Sequence, residues 1–351
     1  MSLLFHPPFM PTFMTNQNLK YYNHGIYAEL IAKYIAHKRA LGYKMLNGEV
    51  RFAPFDRLTI ERGETTIGLT KELCDAYMEP RPMETEVSRY GRMSSLRDFS
   101  SFLQMMGYES YLPILPKFRS LFTPHIYTKK EMAAIFRESD KLHVHQQYPY
   151  SIKCMMPALI RTLYGTGIRI GEALKLKNAD VNLQDGLILV RESKNEQDRL
   201  LPMSLSLREV CKDYAAYKLK CGLDLSPDKP FFSTPDGRST RPATVMNNFR
   251  TILFRAGIPY EGRHHGPRVH DLRHTFCVNA LVQMSESGQD LYYTMPILMA
   301  YMGHKKIEAT NRYVRLTEEM YPGLLKQVDA AQLYVFPEMG DNNEEDGYED
   351  N

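Results

Sequence analysis

The sequence predicts a mainly α-helical protein of two domains, the second carrying one small antiparallel sheet. Three observations carry this. Apolar residues recur at helical spacing through most of the 351 residues. A stretch of weak periodicity at 111–123, marked by Pro, Lys and Arg, separates two such helical regions. The pattern turns from helical to alternating at one place, around two short runs at 187–191 and 199–203.

Residues 1–19 are rich in Pro, Phe and Met but lack a basic start and a cleavable apolar core, so they read as an irregular arm and not a signal peptide. Ile26, Leu30, Ile31, Tyr34 and Ile35 then repeat at helical spacing, with Gly42 as a stop. Thr70 is placed to cap a short helix running to Met78. Leu96, Phe99, Leu103 and Met106 mark one face of a third helix, which Gly107 ends. Residues 20–108 therefore form a small helical domain. Arg89, Arg92 and Arg97 on that third helix are candidate contacts to a polyanion, the plain alternative being a solvated face. Residues 109–127 read as a linker whose Lys117 and Arg119 suit a phosphate backbone.

Thr128-Lys129-Lys130-Glu131 is a capping box and opens a second domain, 128–335. Helical patterns follow at 156–164 and 170–176. The two alternating runs form a hairpin across the polar turn 193–198. Helical patterns resume at 205–219, 244–256, 269–284, 291–302 and 307–317, with a Gly/Pro/Ser loop at 233–242. Residues 320–333 are amphipathic. The final stretch, 336–351, reads as a disordered tail: from Glu338 onward it holds seven acidic residues and no basic one.

That tail hides the charge of the rest. The whole chain is +3, with 44 Lys and Arg against 41 Asp and Glu; taking the seven away leaves 44 against 34, or +10. Such a body suits a polyanion. The five scattered cysteines form no CxxC pair, which fits reduced thiols and a cytoplasmic setting. No apolar run is long enough to cross a bilayer. His264-His265 and the pair His143 and His145 lack metal-binding spacing, and no phosphate-cradling glycine loop is present. The expectation is no metal and no cofactor.

What remains is a set of cations, histidines and one tyrosine. Arg169 lies in TGIRIGEALKL at 166–176. Lys194 lies at the hairpin tip, before DRLLPM at 198–203. His270 and Arg273 lie in HDLRHTF at 270–276, His304 in MGH at 302–304, and Tyr313 in ATNRYVRL at 309–316. A phosphodiester under attack gathers negative charge on its non-bridging oxygens. Guanidinium groups are planar, always charged and fork-shaped, so Arg169 and Arg273 can hold those oxygens from different sides. His270 and Arg273, at i and i+3 of a helix, can reach one phosphate. A phenol such as Tyr313 can attack it, given cations or a proton acceptor nearby. Glu172 either orients Arg169 or simply pairs with it. His274 points to another face and suits a structural hydrogen bond. Asp271, early in its helix, is placed to cap it.

These motifs, in this order, resemble the tyrosine recombinase (phage integrase) family over roughly 20–330, with the two-domain plan of Xer-type and transposon-encoded integrases. The resemblance implies a DNA breaking-rejoining fold: a helical core-binding domain and a mostly helical catalytic domain with a small antiparallel sheet. It implies a site-specific recombinase using no metal and no ATP, with Tyr313 forming a 3′-phosphotyrosyl link. His270 would stand beside that nucleophile, His304 would hydrogen-bond a non-bridging oxygen, and Lys194 would protonate the leaving 5′-oxygen. The partners implied are double-stranded DNA with specific recombination sites and a homo-tetramer in which 320–333 docks on a neighbour; packing on its own domain is the alternative. Accessory proteins or sister recombinases, and a role in integration, excision or transposition of a mobile element, belong to the same expectation. Two other readings stay open: a catalytically inactive DNA-binding accessory protein, and an enzyme like type IB topoisomerases or telomere resolvases.

Overall fold

A computed structural model describes residues 24–45, 48–82, 84–116, 123–142, 151–191, 198–260, 266–289 and 291–303. The chain divides into two compact units, Met1–Leu121 and Phe122–Asn351. Among the described residues there are eleven α-helices and one three-stranded sheet. No helix among them is long and apolar enough to cross a membrane.

The first unit holds α1 (Ala28–Ala40), α2 (Gly48–Glu61), α3 (Lys71–Met78) and α4 (Glu86–Met105). Its core is aromatic. Phe99 of α4 sits among Tyr27, Tyr34, Phe52, Phe55 and Phe102 in mostly tilted and edge-on contacts, with centroids 5.3–6.5 Å apart. Such geometry suits the ring quadrupoles. Thr70 and Thr85 cap α3 and α4 by accepting from the Leu73 and Ser88 amides.

Two sequence expectations need correction here. The helix bearing Arg89, Arg92 and Arg97 is the fourth, because α2 gave no clean signal. Pro54 lies inside α2, and Asp56 shares its buried stripe with Phe52, Phe55 and Thr59. Asp56 is tolerated inside because its carboxylate accepts from the amides of His24 and Gly25, at 2.7–3.1 Å. Met106 is not part of the core face: it lies past the end of α4 and is 43% exposed.

The second unit begins with α5 (Lys129–Asp140), opened by the Thr128–Glu131 capping box. There follow α6 (Met156–Thr166), the single turn α7 (Ile170–Ala173), and strands β1 (Val181–Asn182), β2 (Leu187–Val190) and β3 (Arg199–Pro202). Then come α8 (Leu205–Lys220), α9 (Pro242–Arg255), α10 (Asp271–Glu286) and α11 (Leu291–Met302). The sheet has order β1-β2-β3 and is antiparallel throughout, with Leu187 opposite Pro202 and Val190 opposite Arg199. Helix α6 is the hub and packs on α5, α8 and α10. Leu159, Ile160 and Leu163 give it a buried face in the main core. A second cluster joins α10 to α11 through Cys277, Val278, Leu281, Leu298 and Met302. The expected arm, the helical pattern at 307–317, the amphipathic 320–333 and the acidic tail lie outside the described residues.

Candidate active site

Helix α6 stops at Gly167, whose φ of +62° is left-handed. A β-carbon there would come within 2.5 Å of the Phe276 ring, so the position demands glycine twice over. Two residues later Arg169 adopts an extended conformation (φ −70°, ψ 142°) and opens α7. Its amide donates to Glu172 Oε2 at 3.1 Å, and its guanidinium Nη1 donates to Glu172 Oε1 at 2.9 Å. Glutamate reaching back over the first turn thus fixes both the helix start and the arginine.

Helix α10 delivers the second guanidinium. Arg273 sits in its first turn and is 3% exposed. It donates to Gly167 O at 2.7 Å and to Met302 O at 2.6 Å. Arg169 Nη2 donates to the very next carbonyl, Gly303 O, at 3.1 Å. The end of α6 and the end of α11 are therefore tied together by two arginines holding consecutive carbonyls, immediately before His304.

His270 and His274 are edge-on to each other, ring centroids 4.9 Å apart. His270 is the residue just ahead of α10 and has an exposed side chain, yet its inner side is crowded. That crowding, then the charges of Arg273, Arg268 and Arg169, press its pKa down to about 4. The ring is a neutral imidazole at physiological pH. His274 is buried, with Nε2 4.0 Å from Asp271 Oδ1. Asp271 does not cap α10 as expected. It is fully buried and accepts from the Arg268 amide and guanidinium at 2.8 and 2.9 Å, so it ties the incoming loop instead.

Sequence reasoning overlooked Arg199. It is the first residue of β3 and shares the inward face with fully buried Leu201, while Leu200 between them is 59% exposed. Its guanidinium donates to Glu172 at 2.6 and 3.4 Å. Burial pushes the Glu172 carboxyl upward, but the hydrogen bonds and charges of Arg199 and Arg169 outweigh it and hold the group below the usual carboxylate range. A charged residue at an inward position of an alternating run was the available signal.

Of the expected site residues, Arg169, Glu172, His270, Arg273 and His274 fall in this region. Lys194, His304 and Tyr313 lie outside the described residues, as do Lys117 and Arg119. In the first unit, Arg92 is nearly buried, paired with Glu84 at 2.6 and 2.9 Å and stacked 4.9 Å over Tyr77. Arg89 donates to Met78 O at 3.0 Å and Arg97 to Pro113 O at 2.5 Å. Packing within the unit thus accounts for Arg92, while Arg89 and Arg97 stay partly open to solvent. No group of three or more His, Cys, Asp or Glu among the described residues is arranged to hold a metal ion. Chemically, the cluster gathers fixed guanidiniums beside a neutral imidazole, which suits an anion with several oxygens.

The model of the phage integrase family matches residues 126–320. The chain is similar to a Sinorhizobium fredii protein named as an integrase/recombinase, y4rB, at 26% identity over 316 residues, covering 86% of this chain and 97% of that one. It is similar to the tyrosine recombinase XerD of Rhizobium meliloti at 27% identity over 245 residues, covering 68% and 73%. Its fold matches the crystal structure of XerH site-specific recombinase bound to a palindromic difH substrate in a post-cleavage complex. That match has a TM-score of 0.58 at 17% identity and covers 82% of this chain and 80% of that one.

Proposed function

Because the chain belongs to the phage integrase family and is a tyrosine-type site-specific recombinase, we propose that it cuts and rejoins duplex DNA through a 3′-phosphotyrosyl intermediate on Tyr313, without metal or ATP. The phenol oxygen bonds to phosphorus, the bond to the 5′-oxygen breaks, and the phosphodiester energy is kept in the new ester for rejoining. Arg169 and Arg273 balance the charge that grows on the non-bridging oxygens. His270, neutral before substrate binds, takes up or shares the phenol proton. Lys194 protonates the departing 5′-oxygen, and His304 hydrogen-bonds a non-bridging oxygen.

The observation that carries this reading is the grip of Arg273 and Arg169 on the successive carbonyls of Met302 and Gly303. It brings two guanidiniums from distant parts of the chain to the point where His304 follows. On DNA the chain acts as a homo-tetramer, with 320–333 docking on a neighbour, in integration, excision or transposition of a mobile element in the cytoplasm. The XerH structure, bound to a DNA substrate, supports the duplex as partner.

The test is covalent trapping. A duplex is recovered from a random-sequence library by binding to the full chain, and is then nicked beside the cleavage point. Wild-type protein forms an adduct that resists denaturant and EDTA. Tyr313→Phe binds the same duplex and forms none. An adduct with Tyr313→Phe would show that another residue is the nucleophile, and EDTA-sensitive cleavage would overturn the mechanism.

A further inference from the structure

We infer that Arg199 is a positioning residue for the cleavage reaction, acting through Glu172 to keep the group net positive and the Arg169 guanidinium aimed at the phosphate. The inference rests on the phosphotyrosyl reading above and assigns a role within it to a residue outside the expected set.

The geometry is that of one carboxylate shared by two cations. Glu172 takes 2.6 and 3.4 Å bonds from Arg199 and a 2.9 Å bond from Arg169. The Arg199 and Glu172 side chains are only 9% and 11% exposed, whereas Arg169 is 24% exposed. The tighter, drier partner is thus Arg199, and the more open guanidinium is the one free to meet a ligand. Shared this way, the group keeps a net positive charge. Without Arg199, the carboxylate would keep Arg169 as its one bonded cation among the described residues. The pair would then be neutral, and Arg169 would be drawn toward Glu172 and away from an incoming anion.

Two further features fix Arg199 in this role. A β-carbon on Gly303 would lie 3.3 Å from Arg199 Nη1 and 3.7 Å from Arg169 Nη1, so both guanidiniums flank the same turn. Arg199 Nε is buried and has no hydrogen-bond partner among the described residues. Such a group is costly for folding alone, and a hydrophobic residue at this inward strand position would avoid that cost.

The test uses the full chain and the duplex recovered by library selection, in nicked form and in a form with sulfur replacing the 5′-bridging oxygen at the cleavage point. Sulfur leaves without a proton donor, so it restores variants that fail only in protonating the leaving group. In single-turnover assays Arg199→Gln should slow adduct formation by about 10- to 100-fold, with affinity for the duplex and melting temperature held, and sulfur should not restore the rate. Adding Glu172→Gln should recover part of the loss, because the amide still accepts from the Arg169 amide while carrying no charge. A wild-type rate for Arg199→Gln, full recovery with sulfur, or no recovery in the double variant overturns the inference. If Arg199→Gln does not fold, Arg199→Lys decides: an intermediate rate supports the role and a wild-type rate ends it. A wild-type chain that forms no adduct at all overturns the phosphotyrosyl reading, and this inference with it.

Discussion

Among the described residues the two units each bury one arginine–glutamate pair, and the pairs are near copies. Arg92–Glu84 closes at 2.6 Å with side chains 8% and 12% exposed, and Arg199–Glu172 closes at 2.6 Å with side chains 9% and 11% exposed. Each arginine leaves one buried nitrogen without a partner among the described residues. The difference lies in the neighbours. Around Arg92 are the Glu79 carbonyl and the Tyr77 ring; Arg81 also stacks on that ring, at 5.1 Å, but among the described residues Glu84 takes side-chain hydrogen bonds from Arg92 alone. Around Glu172 stands a second guanidinium, Arg169, which also grips Gly303. A buried ion pair is poor proof of stabilisation. Whether it is an internal fastener or part of a reactive centre depends on whether its charges cancel locally.

The sharpest break of the comparison is Arg169→Ala, which should cut adduct formation by about 100- to 1,000-fold. DNA affinity should move by less than about tenfold, since many other phosphate contacts remain. Single-turnover trapping beside a binding isotherm checks this, and equal losses in both would mark Arg169 as a plain binding residue. In the first unit, Arg92→Gln should do the opposite. Leaving Glu84 buried and unpaired costs about 3 kcal/mol of stability, read as a lower denaturant midpoint, while cleavage per folded molecule stays at the wild-type rate.

Gly303→Ala probes the turn between the guanidiniums. Its φ is +63°, and the added methyl carbon would press on Arg199 at 3.3 Å. Backbone strain of about 1 kcal/mol and a roughly tenfold slower cleavage are expected, measured by melting and trapping on the same preparation. Smallest is the effect of pH on His270. Its folded-state pKa of about 4 lies below the unfolded value, so the unfolded chain takes up a proton first. Stability contributed by this group is present above the unfolded pKa and fades as pH falls toward 4. Histidine NMR on the free protein should find this ring still neutral at pH 5; a titration midpoint near ~6.5 would show that neither the crowding nor the neighbouring cations act on it.

Much of this was legible in the sequence because the signals were local. The Thr128 capping box, the Thr70 cap and the alternation of β2 and β3 each fit within a few residues, and the structure has them where expected. Helix α2 was not legible, because a proline and a buried aspartate broke its stripe. Arg199 was hidden for a different reason. Its partner Glu172 lies 27 positions away, and only strand pairing turns the arginine inward. Arg92 looked like a surface residue until Glu84 folded back across the turn before α4. Arg169 and Arg273 were found by chemistry, yet their meeting point at 302 and 303 is a main-chain property that no side-chain pattern announces.

That meeting point has a consequence for mutagenesis. The Met302 and Gly303 carbonyls belong to the backbone, and every amino acid supplies one. Replacing Met302, which is 1% exposed, perturbs packing around α10 and α11 and says nothing about its oxygen. Alanine scanning will therefore pass over two anchors of the centre. Only amide-to-ester exchange at the following residues, which weakens a carbonyl as an acceptor without altering any side chain, would reveal them.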